Sequence, residues 1–206
     1  MVAGARVGGV RSSYTWLREK RLETLGKKAR SRANTRAAIL AAARRHFSSA
    51  SYEQVGMRAI AATAGVNLAL INRYFGSKAN LFREMMTASG LADQFSDAWE
   101  VIPEKLARYI VETSEQGAGE EQLMVLLRSV QNEQAAEVLR ELVEAQVRPL
   151  AEQLQGSDAH AKSELAIAVL IGVGIARHIL RTEHMANLDP QAMRRLIVPV
   201  LMACLS

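Results

Sequence analysis

A single cysteine, Cys204, stands among 206 residues. That excludes an internal disulfide framework and suits a reducing compartment. Aromatic residues make up only 5% of the chain. The longest apolar run, LAIAVLIGVGIA at 165–176, is twelve residues, short of the ~20 a helix needs to cross a bilayer, so no membrane partner is expected. The first residues do not follow the pattern of a secretory signal, a charged start and then an apolar stretch with a cleavage site; the expected location is the cytoplasm. There is no phosphate loop, glycine-rich dinucleotide turn or nucleophile elbow, so the reading is not an enzyme and calls for no cofactor. His46, His160, His178 and His184 lack metal-ligand spacing with cysteines or carboxylates, and no metal is expected.

What is present is an uneven charge. Residues 1–85 carry sixteen Lys/Arg against four Asp/Glu, a net +12, whereas residues 86–206 carry ten against seventeen, a net −7. A basic first part on a mildly acidic remainder points to a polyanion partner for the first part only. Residues 1–33 are rich in Gly, Ser and Arg without a sustained apolar period, and are expected as a basic, disordered arm with a helical patch around Trp16–Leu25. Apolar residues at helical spacing (Ile39, Leu40, Ala43, Phe47) predict a helix after a cap at Asn34. Short helices are expected over about 57–63 and 68–75, separated by a turn in which Gly65 can take positive φ. Gly76 then ends the second, and Ser77 caps a longer helix reaching about Trp99. Further helices are expected over about 103–115, 120–130, 133–155 with a kink at Pro149, 159–182, and 190–205 behind an Asp189-Pro190 start. No β-period appears, so the fold class is all-α.

The stretch VNLALINRYFGSK at 66–78 carries the chemistry. On a 3.6-residue wheel Ile71 and Phe75 share an inner face with Tyr74 beside them, Ala69 and Arg73 lie opposite, and Leu70 and Asn72 flank. A short helix, a glycine-containing turn and a second helix with a polar outer face make a helix-turn-helix pattern, whose second helix enters the major groove of double-stranded DNA. Arg73 suits guanine or phosphate, Asn72 adenine or phosphate, and Leu70 a thymine methyl; small Ala69 permits close approach, and Tyr74 and Lys78 suit phosphate. The candidate DNA-contact set is Arg36, Arg58, Asn67, Leu68, Ala69, Leu70, Asn72, Arg73, Tyr74 and Lys78.

The segment TRAAILAAARRHF…YEQVGMRAIAATAGVNLALINRYFGSKANLF, over about 35–82, resembles the N-terminal domain of the TetR family of bacterial transcriptional regulators. The resemblance rests on the spacing of its Ile-Ala, Ala-Gly-Val, Tyr-Phe and Ser-Lys elements. It implies a three-helix DNA-binding domain at 34–82, with the motif at 56–75, and a helical ligand-binding and dimerisation domain at 83–206. It further implies a repressor, released from a palindromic operator by a small-molecule inducer. The chain departs from the family at Gly56, where Ser or Thr is usual, and at Leu68, Leu70 and Asn72. These departures keep open an alternative, a helical ligand-binding or protein-interaction dimer with a vestigial DNA head.

Two C-terminal expectations complete the reading. Small residues Ala166, Gly172 and Gly174 favour close helix approach, and Met193, Leu196, Ile197 and Val200 form a stripe; the resemblance implies that these two helices build a homodimer interface. An apolar inducer is expected among the 103–182 helices, with Met124, Leu127 and Arg128 as candidates and Met85, Trp99 and Arg177 behind them. Methionine adapts to varied apolar ligands.

Overall fold

The computed structural model describes residues 13–87, 94, 97–115 and 118–206. All elements among them are helical. The chain divides into two units, residues 1–38 and 39–206.

In the first unit the expected disordered arm is corrected from Ser13 onward. Helix α1 spans Ser13–Ser49 and continues into the second unit, so Asn34 lies within a helix instead of capping one. The missing apolar stripe suggested coil, but Lys, Arg, Leu, Glu and Ala dominate residues 20–38 and are strong helix formers without any core to face. Most described side chains here are exposed.

In the second unit α1 ends at Ser49 and is followed by α2 (Met57–Thr63), α3 (Leu68–Phe75) and α4 (Lys78–Thr87). Ile39, Ala42, Ala43 and Phe47 of α1 are fully buried, as are Ile60, Ile71, Leu81 and Phe82 of the next three helices. Phe47, Tyr52 and Phe82 interlock, with ring centroids 5.1–5.6 Å apart in stacked and edge-to-face arrangements. Each such pair adds about 0.5–1.5 kcal/mol beyond the area it buries. The same core reaches Val125, Ala135, Val138 and Leu139 of the later helices.

Residues 97 and 98 are not helical, so α4 does not run through to Trp99; residues 88–93, 95 and 96 fall outside the described residues. A 3-10 turn at Trp99–Val101 leads into α5 (Ile102–Glu115). Gln153 fastens that turn, accepting from the Trp99 N–H at 2.9 Å and donating to the Asp97 carbonyl at 3.0 Å. Helices α6 (Ala118–Ser129), α7 (Glu133–Ala151), α8 (Ala159–Gly174), α9 (Glu183–Ala186) and α10 (Pro190–Leu205) complete the fold. Pro149 sits inside α7, which stops two residues later rather than at 155. Asp189 caps α10, accepting from the Gln191 and Ala192 N–H groups at 3.0 Å, with Pro190 in the first turn.

The expected helix 159–182 is corrected too. It leaves α geometry at Ile175 for a π-helical turn, Ile175–Ile179, and Arg181 follows with φ 49°. By length and composition the segment Ala159–Ile179 is long and apolar enough to cross a membrane, although its unbroken apolar run is only twelve residues. Here α8 packs on α5, α6, α7 and α10, in a second core with Ile102, Leu106, Leu150, Ile167 and Leu201.

Candidate nucleic-acid interface and interior cavity

Helix α2 starts behind Gly56, whose extended backbone (φ −96°, ψ 134°) opens the helix without a side-chain cap. Its end is a tight turn: Gly65 N–H donates to the Ala62 carbonyl and Val66 N–H to the Ala61 carbonyl, with Gly65 at φ +67°. Asn67 then caps α3, its Oδ1 accepting from the Leu70 N–H at 2.8 Å. Gly76, at φ +74°, closes the helix, and Ser77 Oγ accepts from the Asn80 N–H at 3.1 Å to open α4. These polar and glycine residues, more than any apolar period, set the lengths of the short helices.

The wheel orientation of α3 agrees with the fold. Ile71 and Phe75 are buried in the head core, while Asn67, Ala69, Asn72 and Arg73 are exposed and Leu68, Leu70 and Tyr74 are half-buried. Arg58 on α2 is exposed, as is Arg36 in the first unit. Lys78 is held differently from a free surface cation. Its Nζ lies 4.4 Å from the centre of the Tyr52 ring. Partial burial lowers its pKa, opposed by Glu53. Tyr52 in turn donates its hydroxyl to Gln134 Oε1 of α7 at 3.1 Å. His46 and Thr63 are hydrogen-bonded at 2.8 Å, tying α1 to α2. These supports escaped the sequence reading because their partners are far apart in sequence.

A cavity of about 310 Å³ opens among α4, α5, α6, α7, α8 and the π turn. Its wall is chiefly aliphatic, with Met86, Leu126, Leu142, Ile167, Leu170 and Ile171. Tyr109, Thr113, Gln122, Gln146 and His178 add polar groups. The Tyr109 hydroxyl donates to Gln122 Oε1 at 3.1 Å, and Thr113 Oγ1 donates to the Tyr109 carbonyl at 2.7 Å. Burial holds His178 below the usual imidazole range, Arg177 and Arg181 add to that and Glu120 opposes it, so the ring is neutral at pH 7. Gln146 Oε1 is buried without a hydrogen-bond partner among the described residues; such an acceptor costs about 1–3 kcal/mol if left unmet.

None of the residues expected at an inducer pocket lines this cavity. Met85 is fully buried in the head core, Trp99 packs against the C-terminal core, and Met124 is half-buried elsewhere. Leu127 and Arg128 are exposed on the outer side of α6. Arg177 is a strut, donating to the Met185 and Leu188 carbonyls at 2.7 and 3.1 Å. On α4 it is Met86, next to Met85, that faces the cavity.

The interface set also divides. Ala166, Gly174, Met193 and Ile197 are buried within the chain itself. A Cβ on Gly174 would come 2.9 Å from Leu123 Cδ1, so this glycine serves α6–α8 packing. Gly172, Leu196 and Val200 are exposed, with Leu165 and Met202 also exposed on the same two helices. The expected stripe on α10 thus mixed two faces: residues 193, 197, 201 and 205 turn inward and residues 196, 200 and 202 outward.

Two family models match the chain. One, for bacterial regulatory proteins of the tetR family, covers residues 39–85. The other, for the tetracyclin repressor-like C-terminal domain, covers residues 100–205. Both describe regulators, not enzymes. A search of curated proteins finds no match. Among solved structures, the chain is similar to a TetR-family regulator from Streptomyces coelicolor A3, at 22% identity and TM-score 0.59, over 84% of this chain and 95% of that one. It is also similar to NalD, the secondary repressor of the MexAB-OprM multidrug efflux pump in Pseudomonas aeruginosa, at 20% identity and TM-score 0.62, over 83% and 95%. The fatty acid degradation regulator FadR from Bacillus halodurans matches at 18% identity and TM-score 0.62, over 81% and 97%.

Proposed function

Because the chain belongs to the TetR family of bacterial regulatory proteins, we propose that it is a cytoplasmic repressor that reads a palindromic operator as a homodimer and releases it when a small molecule fills the interior cavity. The observation that carries this reading is the division of α3: Ile71 and Phe75 are buried while Ala69, Asn72 and Arg73 stand exposed on one face. A helix so anchored presents its polar side to base edges, and Arg58 and Tyr74 serve the phosphates around it. Leu70 meets a thymine methyl at the groove edge, with Leu68 beside it at the first turn. Asn67 acts first as the cap of α3, which leaves its amide nitrogen for phosphate. Lys78 acts from its perch on Tyr52. The DNA-binding part is residues 34–82, and residues 83–206 bind ligand and dimerise.

The exposed apolar residues Leu165, Gly172, Leu196 and Val200 of α8 and α10 support pairing with a second copy, since apolar surface left on the outer side of packed helices favours association. The cavity supports an effector site: its volume of about 310 Å³ falls at the lower end of the ~300–1,000 Å³ typical of small-molecule pockets.

The experiment is a gel shift with DNA from upstream of the chain's own coding sequence, across a salt series. A specific complex is expected, the logarithm of its affinity falling linearly with the logarithm of salt concentration and the slope reporting the number of phosphate contacts. If no genomic fragment is bound in preference to bulk DNA, the repressor reading fails.

A further inference from the structure

Resting on the reading of the cavity as the effector site, we infer that the effector is an uncharged, largely apolar molecule bearing one hydroxyl, which it places against the side-chain amide of Gln146. Four observations converge on this class. Among the described residues the cavity wall carries no carboxylate, lysine or arginine. The nearest guanidinium in sequence, that of Arg177, is spent on two backbone carbonyls. His178, the one imidazole on the wall, is held neutral by its surroundings. A carboxylate or ammonium ligand would therefore leave water without a counter-charge, a cost that burial in an apolar site does not return.

The fourth observation concerns the polar groups. Tyr109 and Thr113 already donate to neighbours within the protein. Gln146 differs: the residue lines the cavity, and its Oε1 is buried with no partner among the described residues, so turning the side-chain amide towards a guest would supply the bond it lacks. An apolar molecule leaves that acceptor unmet, whereas a hydroxyl donates to it once the amide turns towards the guest. A hydroxyl both donates and accepts, so it satisfies the amide whichever way its oxygen and nitrogen are turned. The aliphatic remainder of the wall then takes the apolar body of the ligand.

The test uses the full chain with the uncharged dye Nile red as reporter, and decan-1-ol, decanoate and decylammonium as competitors at pH 7. Decan-1-ol is expected to displace the dye at least tenfold more effectively than either charged analogue. Gln146→Leu is expected to shift the ratio of decan-1-ol to Nile red affinity at least tenfold towards the dye. Two independent fillings of the cavity, Leu142→Trp and Ala145→Phe, are expected to abolish both. If decanoate or decylammonium competes as well as the alcohol, or if Gln146→Leu leaves the ratio unchanged while the fillings still abolish binding, the assignment of ligand class is overturned and the cavity stands. If dye and alcohol bind the filled variants as they bind the native chain, the cavity is not the site and both readings fall.

Discussion

The DNA-binding head and the helices behind it solve the same packing problem with different side chains. Of the ten aromatic residues in the chain, five (Phe47, Tyr52, Tyr74, Phe75 and Phe82) lie between residues 47 and 82, and after Ile102 the only one is Tyr109. In the head, three rings lock at 5.1–5.6 Å around the helix that α3 leans on. Flat, wide side chains with few rotamers fix the orientation of a short helix that has little stability of its own. The helices behind are filled by Leu, Ile, Val and Ala, and it is there that the cavity of about 310 Å³ opens. A region that must hold one helix at one angle is packed by rings; a region proposed to accept a guest is packed by chains that can shift around it.

Breaking the ring cluster should show the largest effect. Phe82→Ala is expected to destabilise the chain by about 3–5 kcal/mol, measured by denaturant unfolding, and to remove DNA binding with it. A loss below about 1 kcal/mol would deny the rings their role. The surface of the head should behave oppositely. Arg73→Ala is expected to cost about 1–3 kcal/mol of operator affinity in fluorescence anisotropy while the unfolding midpoint stays in place. Unchanged affinity would remove Arg73 from the interface. The finest cut falls at Asn67, which serves both purposes. Asn67→Ala should lose about 1 kcal/mol of stability with the cap. Asn67→Asp keeps the cap oxygen and should retain that stability, yet weaken DNA binding by setting a negative charge among phosphates. Equal binding by Asn67→Asp and the native chain would confine this residue to capping.

How much of this was legible in sequence follows the same division. The bounds of α2 and α3 could be read because Gly56, Gly65, Asn67 and Gly76 punctuate them, and local backbone chemistry survives any tertiary context. The face of α3 could be read because two large apolar residues four apart must turn the same way. Whether the residues on its outer face touch DNA is a separate question, which the anisotropy measurements address. The cavity was not legible. Its lining residues are ordinary aliphatics indistinguishable in type from core residues, and a void is defined by atoms that neighbouring helices fail to supply. Met85 and Met86 illustrate the limit: one is fully buried in the head core and the next lines the cavity, a difference of 100° on the same helix. The π turn, which brings His178 to the wall, has no sequence signature to announce it. The unbroken course of α1 between the expected patch at 16–25 and the helix after Asn34 rests on intrinsic propensity, which leaves no apolar stripe to read.

The cavity also gives the molecule a mechanical character. A fold that leaves about 310 Å³ unfilled by its own side chains is packed less densely there than in the ring-packed head, and unfolding gives such volume up. Hydrostatic compression therefore acts on the helices around the cavity more than on the ring-packed head. A guest that fills the space removes the volume advantage of the unfolded chain, and the ligand-bound protein is the less compressible and the more pressure-resistant of the two states.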